Sequence, residues 1–346
     1  MRKLSDFPFE PWLLEGLQRA RTLVLMTHVG PDADGLGAQL AFARAAELAG
    51  KQVHIANEDP CPQRYAWMDP RGRILAFDPQ ADKVQDSDLA LIFDAHEVER
   101  AMSPARRARE LGVPLWVVDH HPCAADLDVQ GVIAADYSSS GELVWQLIKA
   151  LGWPVDAEVA AAVYAAIAFD TGSFRFLRNQ ARTFEVAAEL LRTGMDANPI
   201  QEALFASRPR DEVILLGRVI DRVHFAAENR IAWALLGNEV TEGLQVGGDA
   251  LGELIPTLIG IEGVLIAAMV KPGRSADEWK VSLRSKAAVK VGYVMRALGG
   301  GGHDHAAGAT LNGDPLPQLQ AILSELEKAL AEQVDSSGAT AAPRRG

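Results

Sequence analysis

Three apolar runs constrain this fold more than any other feature of the sequence. LVLMT (23–27), LALIF (89–93) and LWVV (115–118) each stop at side chains of the metal-binding type: His28, Asp94 and the triplet Asp119-His120-His121. With a fourth run, VHIA at 53–56, they alternate with stretches of helical composition at 36–49, 103–111 and 157–169, the last opening after Asp156, a suitable cap. Short apolar strands separated by helices are the pattern of parallel βαβ units. The expectation is an α/β chain: a doubly wound parallel sheet followed by a smaller α/β domain. Ligands of open parallel sheets bind beyond the carboxyl ends of the strands, so the three strand-end clusters should meet at one edge.

A length of 346 residues suggests about two domains. The segment 193–211, TGMDANPIQEALFASRPRD, loses periodicity and reads as a linker between a first domain at 1–192 and a second at 212–332. In the second, runs at 213–225, 231–236, 263–270 and 279–284 suggest a mixed sheet closed by a helix near 315–332, and 333–346 has the composition of a disordered tail. The net charge of −12 argues against a broad basic surface for long duplex nucleic acid. Two cysteines, Cys61 and Cys123, are too few for a zinc cluster and fit a reducing compartment. The first twelve residues lack the apolar core of a signal peptide, and no run reaches the 18 residues of a membrane span. A cytoplasmic protein with no membrane contact is expected.

The loop THVGPDADGLG places His28, Asp32 and Asp34 between a strand and a helix. Two carboxylates two residues apart can face different metal ions, or can simply build a turn and cap the helix. Asp94 alone is an ordinary turn residue, and His96 and Glu97 beside it read as solvent-side or rim residues. Adjacent histidines point different ways, so one of His120 and His121 can bind metal while the other faces substrate, with Asp119 supporting them. Asp170 closes an apolar helix at the negative end of its dipole, which calls for a cation. The six candidate ligands His28, Asp32, Asp34, Asp94, His120 and Asp170 mix oxygen with imidazole, a set that suits manganese, with magnesium and iron behind it. In LGGGGHDHAAGATL the four glycines and His303 can cradle a phosphate or form a flexible loop, and Arg284 can add a forked phosphate contact.

Taken together, these residues resemble the DHH phosphoesterases, over nearly the whole chain to about residue 332. The resemblance rests on HxxPDxDxxG at His28 to Gly37, Asp94, the DHH triplet itself, DTGxF at Asp170 to Phe174, and GGGH ending at His303. The GGGH loop and the Arg284-Ser285 pair look like the DHH-associated domain of the RecJ and nano-RNase branch rather than the second domain of inorganic pyrophosphatases. Ala38 departs from the Ser that often ends the first motif. The resemblance implies two manganese ions, magnesium or another divalent metal being the alternative. His28 and Asp32 would hold one ion and Asp34, His120 and Asp170 the other, with Asp94 bridging. Asp94, Asp119, His120 and His121 would form the catalytic set, His121 touching the scissile phosphate. Arg284, Gly300, Gly301, Gly302 and His303 would clamp the substrate phosphate across an interdomain cleft. The implied activity is hydrolysis of short oligoribonucleotides and dinucleotides to mononucleotides by a stand-alone nano-RNase. Alternatives are a phosphatase of 3′-phosphoadenosine 5′-phosphate, a cyclic-dinucleotide (cyclic di-AMP) phosphodiesterase and, from another class, a non-catalytic RNA-binding sensor. A homodimer is left open.

Overall fold

The computed structural model describes residues 9–123, 130–246, 250–273, 275, 277–286 and 289–333, with Glu253 and His303 described by backbone alone. From residue 334 onward the expected tail lies outside the described residues. The chain divides between Ser207 and Arg208 into two compact units, each with its own cores.

In the first unit five strands, β1 (Thr22–Thr27), β2 (Gln52–Ile55), β3 (Leu89–Phe93), β4 (Leu115–Asp119) and β5 (Gln130–Ile133), form a parallel sheet in the order β2-β1-β3-β4-β5. Its helices are α1 (Pro11–Arg19), α2 (Ala33–Leu48), α3 (Met102–Leu111), α4 (Ser140–Leu151), α5 (Ala157–Asp170), α6 (Gln180–Arg192) and α7 (Asn198–Gln201). Side chains alternate across a strand, so Leu23, Leu25, Leu89, Leu91 and Phe93 enter one core with α1, α2, α4 and α5. Val24, Met26, Ala90, Ile92 and Val117 enter a second core with α3 on the other face. Both faces are therefore covered, which is why the runs read as continuously apolar. The expected cap is present: Asp156 accepts from Val159 N. Helices α2 and α5 lie so close that a Cβ on Gly37 would stand 2.5 Å from the Ala162 carbonyl. The short strand β5 has no counterpart among the expected runs, because QGVI is too short and too polar to register. Strand order reverses between β1 and β3, and that switch point is where parallel sheets open a crevice.

The second unit contains α8 (Arg210–Ile220), β6 (His224–Ala226), β7 (Ile231–Leu235), α9 (Ile255–Ile259), β8 (Ile266–Pro272), β9 (Glu278–Ser285), α10 (Gly292–Ala297), β10 (Gly301–His303), β11 (Ala306–Asn312) and α11 (Pro315–Gln333). Its sheet, β10-β11-β9-β8-β7-β6, is antiparallel except for the β7–β8 pair, hence mixed as expected. Two expectations are corrected here. Most of 213–225 is helical: Leu215 and Val219, four residues apart, are the buried pair of α8, whose first turn carries Asp211 and Glu212. The glycine run is not an open loop, since Gly301–His303 pair with Ala306–Gly308 as a strand. A Cβ on Gly300 would stand 2.2 Å from the Gly308 carbonyl, so close strand approach already requires glycine there. Among the described residues no helix is long and apolar enough to cross a membrane.

Candidate active site

The carboxyl ends of β1, β3 and β4 deliver His28, Asp94 and Asp119 to the switch point, as parallel strands must. Asp32 is the N-cap of α2, its Oδ1 accepting from Asp34 N (3.0 Å) and Gly35 N (3.2 Å). Capping and ligation coexist, because Oδ2 still faces His28 Nε2 at 3.9 Å. Asp34, buried in the first turn of α2, accepts from Ser140 N (2.7 Å) and Gly141 N (2.9 Å) at the start of α4. Asp94 leaves β3 with φ near 60°, an uncommon conformation for a non-glycine residue, and accepts from Ser140 Oγ at 3.0 Å. Asp170 comes in from the last turn of α5.

These residues form three groups whose ligand atoms lie within 4.8 Å of one another: His28, Asp32 and Asp94; Asp34, His120 and Asp170; and Asp94, His120 and His121. His28 Nε2 is 3.4 Å from Asp94 Oδ2. His120 Nε2 is 3.6 Å from Asp34, 3.7 Å from Asp94 and 3.4 Å from Asp170. Burial pushes the Asp34 carboxyl well above the usual range, helped by Asp94, Asp170 and Asp32. Withdrawal from water, then Asp94 and Asp32, takes Asp170 up to about 7. Burial and Asp94 raise Asp32 as well. Burial also lowers His120, whereas in His28 its effect is outweighed by Asp94 and Asp32, which raise the imidazole.

Asp119 is fully buried. Its Oδ1 accepts from His120 N (2.7 Å), His121 N (3.1 Å) and His121 Nδ1 (2.8 Å), and its Oδ2 meets His96 Nδ1 at 2.5 Å. Burial by itself would raise this acid, but the bonds and charges of His121 and His96 bring it down to about 2. His96 is thus no solvent-side residue: its ring is largely covered and bonded inward. Its spacing two residues after a strand-end Asp was the available signal. Two further supports escape sequence reasoning. Ser140 joins Asp34 to Asp94, and Arg178 Nη1 donates to the carbonyls of His120 (2.8 Å) and Ala135 (2.6 Å).

The expected phosphate residues belong to the second unit. Arg284 is half-buried on β9, its Nη1 donating to the Leu283 carbonyl, and burial lowers its pKa; among the described residues no carboxylate pairs with it. Gly300 adjoins β10, and Gly301 and Gly302 lie in it. The His303 side chain lies outside what is described. His305 is tied into the unit by Ser285 Oγ (3.1 Å) and the Val289 carbonyl (3.0 Å).

Family models agree with this geometry. One described as the DHH family N-terminal domain matches residues 22–167, and one for the DHHA1 domain matches 231–332. The bifunctional oligoribonuclease and PAP phosphatase NrnA of Thermus thermophilus is 30% identical, over 89% of this chain and 91% of that protein. This chain belongs to the DHH family. It is a hydrolase of phosphoester bonds. The protein of the same name from Bacillus subtilis is 26% identical, over 88% of this DHH-family chain and 94% of its own length. In fold, the chain matches an exopolyphosphatase-related protein from Bacteroides fragilis with a TM-score of 0.84 at 20% identity, covering 93% and 96% of the two chains.

DHH phosphoesterases are metal-dependent, and this donor set suits a cation on its own evidence. His28 Nδ1 faces the Val29 carbonyl (3.0 Å) and His120 Nδ1 the Tyr137 carbonyl (3.2 Å), so both Nδ1 atoms donate and both Nε2 atoms turn toward carboxylates. As neutral ligands they would point lone pairs at anions, an arrangement that needs a cation between them. His120 Nε2 is buried with no hydrogen-bond partner among the described residues. The ion-pair partners described for Asp32, Asp34, Asp94 and Asp170 are histidines only. A divalent cation resolves all of these mismatches together.

Proposed function

We propose that this protein hydrolyses short oligoribonucleotides and dinucleotides to mononucleotides, using two divalent ions, manganese first. The observation that carries the reading is the array of four carboxylates and two imidazoles, with His120 Nε2 buried and without a hydrogen-bond partner among the described residues. His28 and Asp32 would hold one ion, Asp34, His120 and Asp170 the other, and Asp94, with an oxygen toward each histidine, would bridge. Bound there, divalent ions would supply Lewis acidity to the phosphodiester and lower the pKa of a water.

The chain's own residues do the rest. Backbone N–H groups of Ser140 and Gly141 and the Ser140 hydroxyl fix Asp34 and Asp94, so the carboxylates need not reorganise on binding. His121, partly exposed beside the array and oriented by Asp119, contacts the scissile phosphate. Arg284, half-buried and with no carboxylate partner among the described residues, binds a substrate phosphate with the backbone of Gly300, Gly301 and Gly302 and with His303. The names of the Thermus and Bacillus relatives support both the short-RNA substrate and a second one, 3′-phosphoadenosine 5′-phosphate. The acidic balance of the chain supports short substrates over long duplexes.

The test is product analysis with manganese on 5′-labelled RNA from two to about twenty nucleotides, alongside phosphoadenosine phosphate and cyclic di-AMP, with Asp94→Ala as control. Preference for dinucleotides supports the reading. Turnover restricted to phosphoadenosine phosphate or cyclic di-AMP replaces the substrate, and RNA binding that survives Asp94→Ala with no hydrolysis by the parent protein replaces the enzyme with a sensor.

A further inference from the structure

His96 has no place in the ligand set or the phosphate contacts, yet its Nδ1 makes one of the shortest side-chain bonds in the site. Asp94 leaves β3 in the left-handed region, and two residues later His96 reaches the end of the neighbouring strand, at Asp119 Oδ2. Three donors crowd the other oxygen, Oδ1: two backbone N–H groups and His121 Nδ1. Those donors hold one end of the carboxylate, and His96 Nδ1 is the donor described at the other, so His96 fixes the second point that sets the carboxylate's tilt toward the His121 ring.

His121 needs that constraint. Its side chain is 42% exposed, so packing does not lock it, and a second acceptor competes for Nδ1: Asp94 Oδ1 stands only 3.6 Å away. If Asp119 turned, the imidazole could swing onto the carboxylate proposed to bridge the two ions. We propose that His96 is a positioning residue for His121, clamping Asp119 Oδ2 so that Oδ1 holds the His121 ring toward substrate and off Asp94. This rests on the role given above to His121, and it requires of His96 only a hydrogen-bond donor.

The experiment compares His96→Phe, which keeps a ring but loses the donor, with His96→Asn, whose amide N–H can replace Nδ1–H. Both are measured on a dinucleotide and on bis(p-nitrophenyl) phosphate, in the parent and His121→Ala backgrounds. The expected result is a kcat about tenfold to a hundredfold lower for His96→Phe with KM within about twofold, recovery to within about threefold for His96→Asn, and no added loss from His96→Phe once His121 is gone. Imidazole 1H–15N spectra of the magnesium-loaded protein should show His121 held as the Nδ1–H form in the parent and in His96→Asn, and averaged in His96→Phe. An unchanged kcat in His96→Phe, failure of His96→Asn to recover it, or an equal loss in the His121→Ala background overturns the proposal. If the dinucleotide is refused while the nitrophenyl ester is cleaved, only the substrate reading fails, and the ester still reports on His96.

Discussion

The two sheets of this molecule use their strands in opposite ways. In the first unit all five strands are parallel, so their carboxyl ends share one edge and the ends of three of them converge His28, Asp94 and Asp119 there. In the second unit four of the five strand pairs are antiparallel and the ends scatter over both edges; its special residues, Arg284 on β9 and the glycines on β10, flank β11. A parallel sheet concentrates side chains at an edge, while an antiparallel one offers backbone and a row of side chains. The first suits a crowded array of charges and the second a phosphate contact.

The strongest way to break this contrast is to remove a strand-end acid. Asp94→Asn should cut turnover by roughly a thousandfold or more, since it weakens both proposed ion sites together, with the circular dichroism of the fold retained. Arg284→Gln, in the other sheet, should instead raise KM about tenfold with little change in kcat; a loss confined to kcat would put Arg284 in the chemistry rather than in binding. Metal removal sharpens the contrast physically. Saturation at about a hundredfold above Kd stabilises the folded form by about 2.7 kcal/mol, so chelation should lower the melting temperature by several degrees. Hydrogen exchange should change around 28–36, 94–97, 119–121 and 170–174, and not in β9 or β11.

Smaller effects are read in stability rather than in turnover. Gly302 has φ near 117° and a Cβ there would stand 2.5 Å from the Ala306 carbonyl, so Gly302→Ala should destabilise the second unit by about 1–3 kcal/mol, read by urea unfolding. Least of all, Asp156→Ala should cost about 1 kcal/mol at neutral pH through the lost cap of α5, with activity intact. Burial opposes it, but Val159 N–H and Arg44 hold the Asp156 pKa below its usual value. A depressed folded pKa contributes stability above the unfolded pKa that is lost as pH falls through the folded value. The parent's advantage over Asp156→Ala should therefore shrink as the pH falls below the ordinary aspartate value of 3.8, and a difference unchanged on acidification would count against the capping role.

Much of the first unit was legible because buried parallel strands are written as continuous apolar runs that end abruptly in a polar residue. β1, β3 and β4 are such runs, and their terminal residues are the ones brought together. β5 was not legible, since QGVI is held by pairing with β4 and not by its own composition. In the second unit α8 was mistaken for strand because VILLGRVI is apolar enough for either, and only the i, i+4 burial of Leu215 and Val219 decides. The glycine run looked like a loop because glycine signals freedom locally, whereas here it permits close backbone contact.

His96 marks where the sequence stopped. A histidine two residues beyond a strand-end Asp carries no local sign of direction, and its partner Asp119 is 23 residues away on another strand. By itself the sequence determined the fold class, the strand ends and the residue types of the array, because hydrophobic period and strand termination are local properties. Only the tertiary structure decided that Asp32 caps and still faces His28, that Ser140 links Asp34 to Asp94, and that Asp119 lies clamped between two imidazoles. Those are relations between groups on different elements, and the packing that sets them is a property of the whole sheet.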